Sequence, residues 1–210
     1  MRTIVAIACL GALLWVEPAG AQHAGARKEY SLTVSVHDDV RPRLSDREVR
    51  ELLKGASELL KSNHCDVTFK LKGTVQTFAS PSTPAVIRTA AQRDAVHEVE
   101  ADVKVVKDIR FCRPDLGNLF NGCAFPPSKG SKSIIVTHAR AKTAPLRSIL
   151  WAHEFGHRTG LQHRAASDAL MTACPNLSGD ETEVNQDECH CFLLGPGGCT
   201  KPDLHPVCSE

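Results

Sequence analysis

Residues 153–163 read His-Glu-Phe-Gly-His-Arg-Thr-Gly-Leu-Gln-His, and no other stretch constrains the chain so tightly. His153 and His157 stand four residues apart, so on a helix both imidazoles leave the same face and can reach one point. Glu154 lies one residue further round, near that point without being forced onto it. Gly160 lets a helix end in the left-handed region and turn the chain back, which brings His163 in from another direction. Three neutral imidazoles leave a fourth ligand position open, the donor set of a catalytic rather than a structural zinc site. One Zn2+ ion held by His153, His157 and His163 is therefore expected. The competing reading is a histidine-rich surface helix. Against it, Leu146, Ile149, Leu150, Trp151 and Phe155 make the segment apolar over much of its girth, and buried histidines need partners.

The surrounding pattern predicts an α+β fold. Tyr30 to Val36 alternates apolar and polar residues, as a half-buried strand does. Ser45-Asp46-Arg47-Glu48 is a capping box, and Val49, Leu52, Leu53, Ala56, Leu59 and Leu60 follow at helical spacing, so 46–61 is an amphipathic helix. Val67 to Leu71, Val103 to Ile109 and Ser133 to Thr137 read as further strands. Residues 81–100 are left as loop with short strand pairing, and 112–132, rich in Pro, Gly and Asn, as a long irregular loop. A helix starts at Thr143-Ala144-Pro145 and runs through the histidines to Gly160. A tight segment around Met171 follows, then a helix from about Thr182 to Leu193 and a Gly/Pro/Cys-rich tail. The order implies a mixed sheet backed by two long helices, with a smaller C-terminal part.

The first residues read as an export signal. Arg2 gives a positive start, Ile4 to Val16 an apolar run, and Ala19-Gly20-Ala21 a cleavage pattern. A signal peptide over 1–21 and one domain over 22–210 are expected. The run is shorter than the roughly 20 apolar residues of a membrane span. A net charge of +1 with scattered basic residues argues against nucleic acid or a membrane as partner. Beyond Cys9, the chain carries Cys65, Cys112, Cys123, Cys174, Cys189, Cys191, Cys199 and Cys208, an even set that in an exported chain reads as disulfides. Three lie before the histidine motif and five after it, so full pairing requires at least one bridge between the two groups. An alternative keeps Glu188-Cys189-His190-Cys191 as half of a second zinc site. Asn176-Leu177-Ser178 is a glycosylation sequon.

His153 to His163, with Ala169-Leu170-Met171 behind it, resembles the metzincin metalloproteases. The resemblance implies a wide upper subdomain over about 30–160 carrying the sheet and two long helices. A small lower subdomain, 161–210, would follow the Gly160 turn and hold one helix. It implies a methionine-containing turn at Met171 below the metal, Glu154 as general base, and a peptide or protein substrate cut by a zinc-dependent endopeptidase; the export signal makes that enzyme secreted, and a monomer is expected. It also implies substrate lying as an extended strand beside Ser133 to Thr137. Two residues depart from the pattern. Arg164, after the third histidine, matches no familiar subfamily. Ala173 stands where astacin- and serralysin-like members carry a tyrosine, and Tyr30 is the only tyrosine present. Arg110 to Asp115 faintly resembles a thiol latency switch, though a disulfide is the expected fate of Cys112. His138, at the end of a strand, is a candidate to face the cleft. The rival class is a secreted zinc-holding binding or immune-modulating module, from which the presence of Glu154 distinguishes this chain.

Overall fold

A computed structural model describes residues 26–112, 121–124, 133–138, 143–172 and 182–199. The N-terminal apolar run, Ala173, Cys174, Asn176, His205 and Cys208 lie outside them.

The alternating segment near the N-terminus forms two strands, β1 (Lys28–Leu32) and β2 (Val34–His37). The break falls at Thr33, whose backbone N–H and hydroxyl both donate to Asp102 Oδ2 at 2.8 and 2.7 Å. Helix α1 (Asp46–Ser62) follows, with the capping box of Ser45 and Glu48 in place. Next come β3 (Val67–Leu71) and β4 (Gln76–Phe78), the latter not expected. The segment 81–100 holds the short paired strand that was expected, β5 (Val86–Ile87), but also helix α2 (Ala90–His97) in place of loop. Thr89 caps that helix, accepting from Gln92 N, while Gln92 reaches back to Arg88 N. The expected strand at 103–109 divides into β6 (Val103–Val106) and β7 (Asp108–Ile109). A short β8 (Gly122–Ala124) sits inside the irregular loop, before β9 (Ile134–Thr137). Helix α3 (Ala144–Thr159) carries the first two histidines. Helix α4 (Gln186–Leu194) starts later than expected because Asn185 and Glu188 cap it reciprocally.

The main sheet runs β4-β2-β6-β9-β8, with every pair parallel except β8 against β9. It is a mixed sheet within an α+β fold of four helices among the described residues. Val34, Val36, Val103, Val105, Ile134 and Val136 share one core with the apolar faces of α1 and α3. The opposite face joins Val106 and Ile135 to Ile87, Val96 and Ile109, so α2 and the β5–β7 pair cover the other side. Each buried aliphatic side chain contributes roughly 1.5–3 kcal/mol, and strand alternation assigns residues to one core or the other. Lys104 is the exception, a lysine on β6 left 1% exposed, whose ammonium donates to the His97 carbonyl at 2.9 Å. Helices α1 and α3 are also tied directly, since Ser148 Oγ donates to Leu52 O at 3.0 Å.

One expectation is overturned by the topology. The 133–137 strand was to offer a free edge to substrate, but β9 is paired on both sides, by β6 and by β8. Among the described residues, the margin of the sheet on that side is β8.

Three disulfides lie among the described residues: Cys65–Cys189, Cys112–Cys123 and Cys191–Cys199. The first is the required bridge between the two cysteine groups. Because Cys189 and Cys191 are both oxidised, in different bridges, the second-zinc alternative has lost its thiolates. Cys112 likewise is paired and cannot serve as a blocking thiol. No helix among the described residues is long and apolar enough to cross a membrane.

Candidate metal centre

Helix α3 is buried along most of its length, against both α1 and the β8–β9 margin of the sheet, so its polar residues sit inside the protein. It ends at Gly160, whose φ of 104° is left-handed. A side chain there would be strained, and its Cβ would also fall onto the carbonyl of Cys199, whose N–H donates to Thr159 O at 3.0 Å. The glycine is thus required twice, by backbone conformation and by the close approach of the tail.

The turn at Gly160 brings His163 back to His153 and His157. One ring nitrogen from each of the three lies within 4.8 Å of the others, and His157 Nε2 is 3.1 Å from His163 Nε2. The orientation of two rings is set by carbonyls. His153 Nδ1 contacts Leu170 O at 2.7 Å and His157 Nδ1 contacts Leu161 O at 2.9 Å. A carbonyl only accepts, so each Nδ1 carries the proton and each neutral ring presents its Nε2 lone pair. Burial, with the neighbouring His163 acting in the same direction, pushes the His153 pKa down to about 4, which keeps that ring neutral at physiological pH. Two imidazoles with carbonyl-fixed tautomers, joined by His163 across the turn, suit a zinc-like cation, and these residues could hold one.

Glu154 is 5% exposed, and its Oε2 makes no hydrogen bond among the described residues. Burial alone raises its pKa to about 8. A dication beside it would act in the opposite direction. A buried carboxylate without a partner is costly unless a ligand or water completes it.

Met171 is fully buried beneath α3, and Gly156 makes the room: a Cβ at 156 would stand 2.5 Å from the Met171 sulfur. The same turn supplies the Leu170 carbonyl that holds His153, so residues 169–172 floor the histidine cluster. Arg164, unexplained in the sequence, locks this floor in place. Its backbone N–H donates to Met171 O at 2.7 Å, and its guanidinium pairs with Glu183 at 3.1 Å and with buried Glu188 at 3.2 Å. No local signal could have revealed that role, because its partners arrive from α4 and from Glu183 in the segment before it. Tyr30 stands apart from the histidines: its hydroxyl donates to Phe192 O at 2.5 Å, and its ring packs on Phe69 and Phe155. His138 is buried, and the charges that bear on it are Arg147 and Glu48 rather than the histidine cluster.

Fold and site together define an α+β protein with a partly buried three-histidine group on a helix and its following turn. Neither protein-family models nor curated protein sequences give a match. Among solved structures, the archaemetzincin of Methanopyrus kandleri is similar, with a TM-score of 0.50 and 16% identity over 80% of this chain and 94% of that one. A zinc-dependent peptidase from Methanocorpusculum labreanum is similar at a TM-score of 0.44 and 15% identity, over 76% of this chain and 99% of that one. At these identities the likeness speaks to the fold, and the second is too loose to carry an argument.

Proposed function

We propose that the chain is a secreted zinc-dependent endopeptidase of the metzincin kind, with one Zn2+ on His153, His157 and His163 and with Glu154 as general base. The observation that carries the reading is the pairing of two unlike groups on α3 and the turn that follows it. His153 and His157, with their Nε2 lone pairs available, cluster with His163, and Glu154, the next residue to His153 on α3, carries a buried carboxyl whose Oε2 has no hydrogen-bond partner among the described residues. A structural site needs the first group and has no use for the second.

Zinc, when bound, supplies Lewis-acid polarisation of a carbonyl and acidification of a water. Glu154 takes the proton from the attacking water at a carboxylate oxygen and delivers it to the departing amine nitrogen. His153 and His157 keep their Nδ1 protons on the Leu170 and Leu161 carbonyls throughout, so the ring nitrogens facing the ion stay unprotonated. Gly160 divides an upper part, about 30–160, from a lower part, 161–210, and Met171 supports the histidines from below. An extended peptide would lie along β8, the margin of the sheet, where strand pairing can align its backbone. Export over a signal peptide at 1–21 is consistent with the three disulfides, which persist in oxidising compartments.

The test separates ligand from base. Glu154→Ala should retain about one equivalent of zinc and lose peptide hydrolysis by about 10⁴-fold or more, since positioned acid–base groups contribute about 10²–10⁴-fold and this one serves twice. His157→Ala should lose zinc affinity together with activity. A Glu154→Ala protein that cleaves peptides at the wild-type rate would refute the assignment.

A further inference from the structure

Strand β8 brings one glycine against Glu154. A Cβ built at Gly122 would lie 2.5 Å from Glu154 Cγ and closer still to its carboxylate carbon and Oε1. The overlap involves the stem of the glutamate as well as its tip, so a small rotation of the carboxylate alone does not relieve it. Gly122 has no positive φ, and backbone conformation therefore does not demand glycine here. What demands it is the space the glutamate fills.

The strand that carries this glycine is held firmly for its length. Gly122 pairs with Val136 across the antiparallel β8–β9 ladder, and the next residue, Cys123, is 2% exposed and bonded to Cys112. Asn121, just before it, accepts from the Thr137 N–H at 2.8 Å and the Thr137 hydroxyl at 3.0 Å. The glutamate is therefore clamped between α3 beneath it and a braced strand above.

We infer that Gly122 is a positioning residue, the seat that holds the Glu154 carboxyl between α3 and the sheet margin. This deepens the functional reading above and takes the catalytic role of Glu154 from it. The seat sets the height of the base relative to the histidines and places it next to the backbone groups of β8.

The experiment compares wild type, Gly122→Ala, Glu154→Ala and the double variant, all with disulfides intact. Thermal midpoints are measured on metal-free protein, and zinc content and peptide kcat and KM on zinc-loaded protein. Overpacking of this kind should lower the midpoint by about 4–8 °C when Glu154 is present. The same substitution in Glu154→Ala should leave the midpoint unchanged or raised, because the space is vacated. Zinc content should hold while kcat falls at constant KM. If Glu154 yields by swinging away, the midpoint holds and kcat falls at constant zinc, which also supports the seat. Equal midpoint shifts in both backgrounds with unchanged kcat would overturn it. If wild type cleaves no peptide, the functional reading falls, and the midpoint cycle alone decides the seat: equal shifts refute it and unequal shifts sustain it.

Discussion

Gly160→Ala probes the joint on which the site turns. Glycine at φ 104° is in the left-handed region, where a residue with a Cβ pays about 1–2 kcal/mol. The added Cβ would also meet the Cys199 carbonyl, with Cys199 Cα only 3.4 Å away. Cys199 has little freedom to retreat, since its N–H donates to Thr159 O and its sulfur is bonded to Cys191. Overpacking against a restrained backbone adds about 1–3 kcal/mol, for a total of about 2–5 kcal/mol. That is a large share of a stability of about 5–15 kcal/mol. Urea unfolding of the oxidised protein measures it. Gly160→Asn separates the two causes: asparagine tolerates the left-handed region better but brings the same Cβ, so it should recover only the conformational part. Zinc affinity should fall as well, because His163 reaches the cluster through this turn. A Gly160→Ala protein within about 0.5 kcal/mol of wild type, the range of an ordinary surface substitution, would refute the reasoning.

Two further outcomes test the framework around the site. Burial depresses the Lys104 pKa from 10.5 to about 8. The unfolded chain therefore binds more protons than the folded one between those values, so stability should rise by about 2 kcal/mol from pH 8 to about pH 10. Lys104→Met should abolish that rise, measured as the difference between the two proteins' denaturation midpoints. Comparison up to about pH 10 avoids Tyr30, whose pKa burial pushes up to about 12 and which acts in the opposite sense at higher pH. A parallel pH dependence in both proteins would show that Lys104 is not the source. The Cys65–Cys189 bridge closes a sequence separation of 124 residues, so replacing both by serine should cost about 2–5 kcal/mol. Unchanged denaturant midpoints would contradict that bridge.

What could be read from the sequence was what is local. Helix α1 and helix α3 announce themselves by caps and periodicity, and the histidine spacing is a property of one helix and one turn. The cysteine count required a bridge between the two groups without saying which, and Cys65–Cys189 supplies it. Helix α2 was missed although Thr89 and Gln92 formed a legible capping pair, because eight residues give little periodicity to see. Strand β8 was hidden for a different reason: Gly122-Cys123-Ala124 has weak strand propensity and exists through pairing with β9 and a disulfide to Cys112. With β8 unseen, β9 looked like an edge, and the substrate margin was placed one strand too far inward. Lys104 on an alternating strand gave no sign that α2 would cover it. Arg164 and Gly122 owe their roles to partners distant in sequence, Glu188 and Glu154, which no local pattern encodes.

The central claim is that this chain hydrolyses peptide bonds with zinc on three histidines. The most direct measurement incubates the mature, oxidised, zinc-loaded protein with a diverse peptide library and reads the products by mass spectrometry, with metal content determined on the same sample. Internal cleavage is expected, each pair of fragments together gaining one water, abolished by chelation and restored by zinc. One equivalent of bound zinc with no cleavage of any peptide would contradict it and leave a zinc-holding binding module in its place.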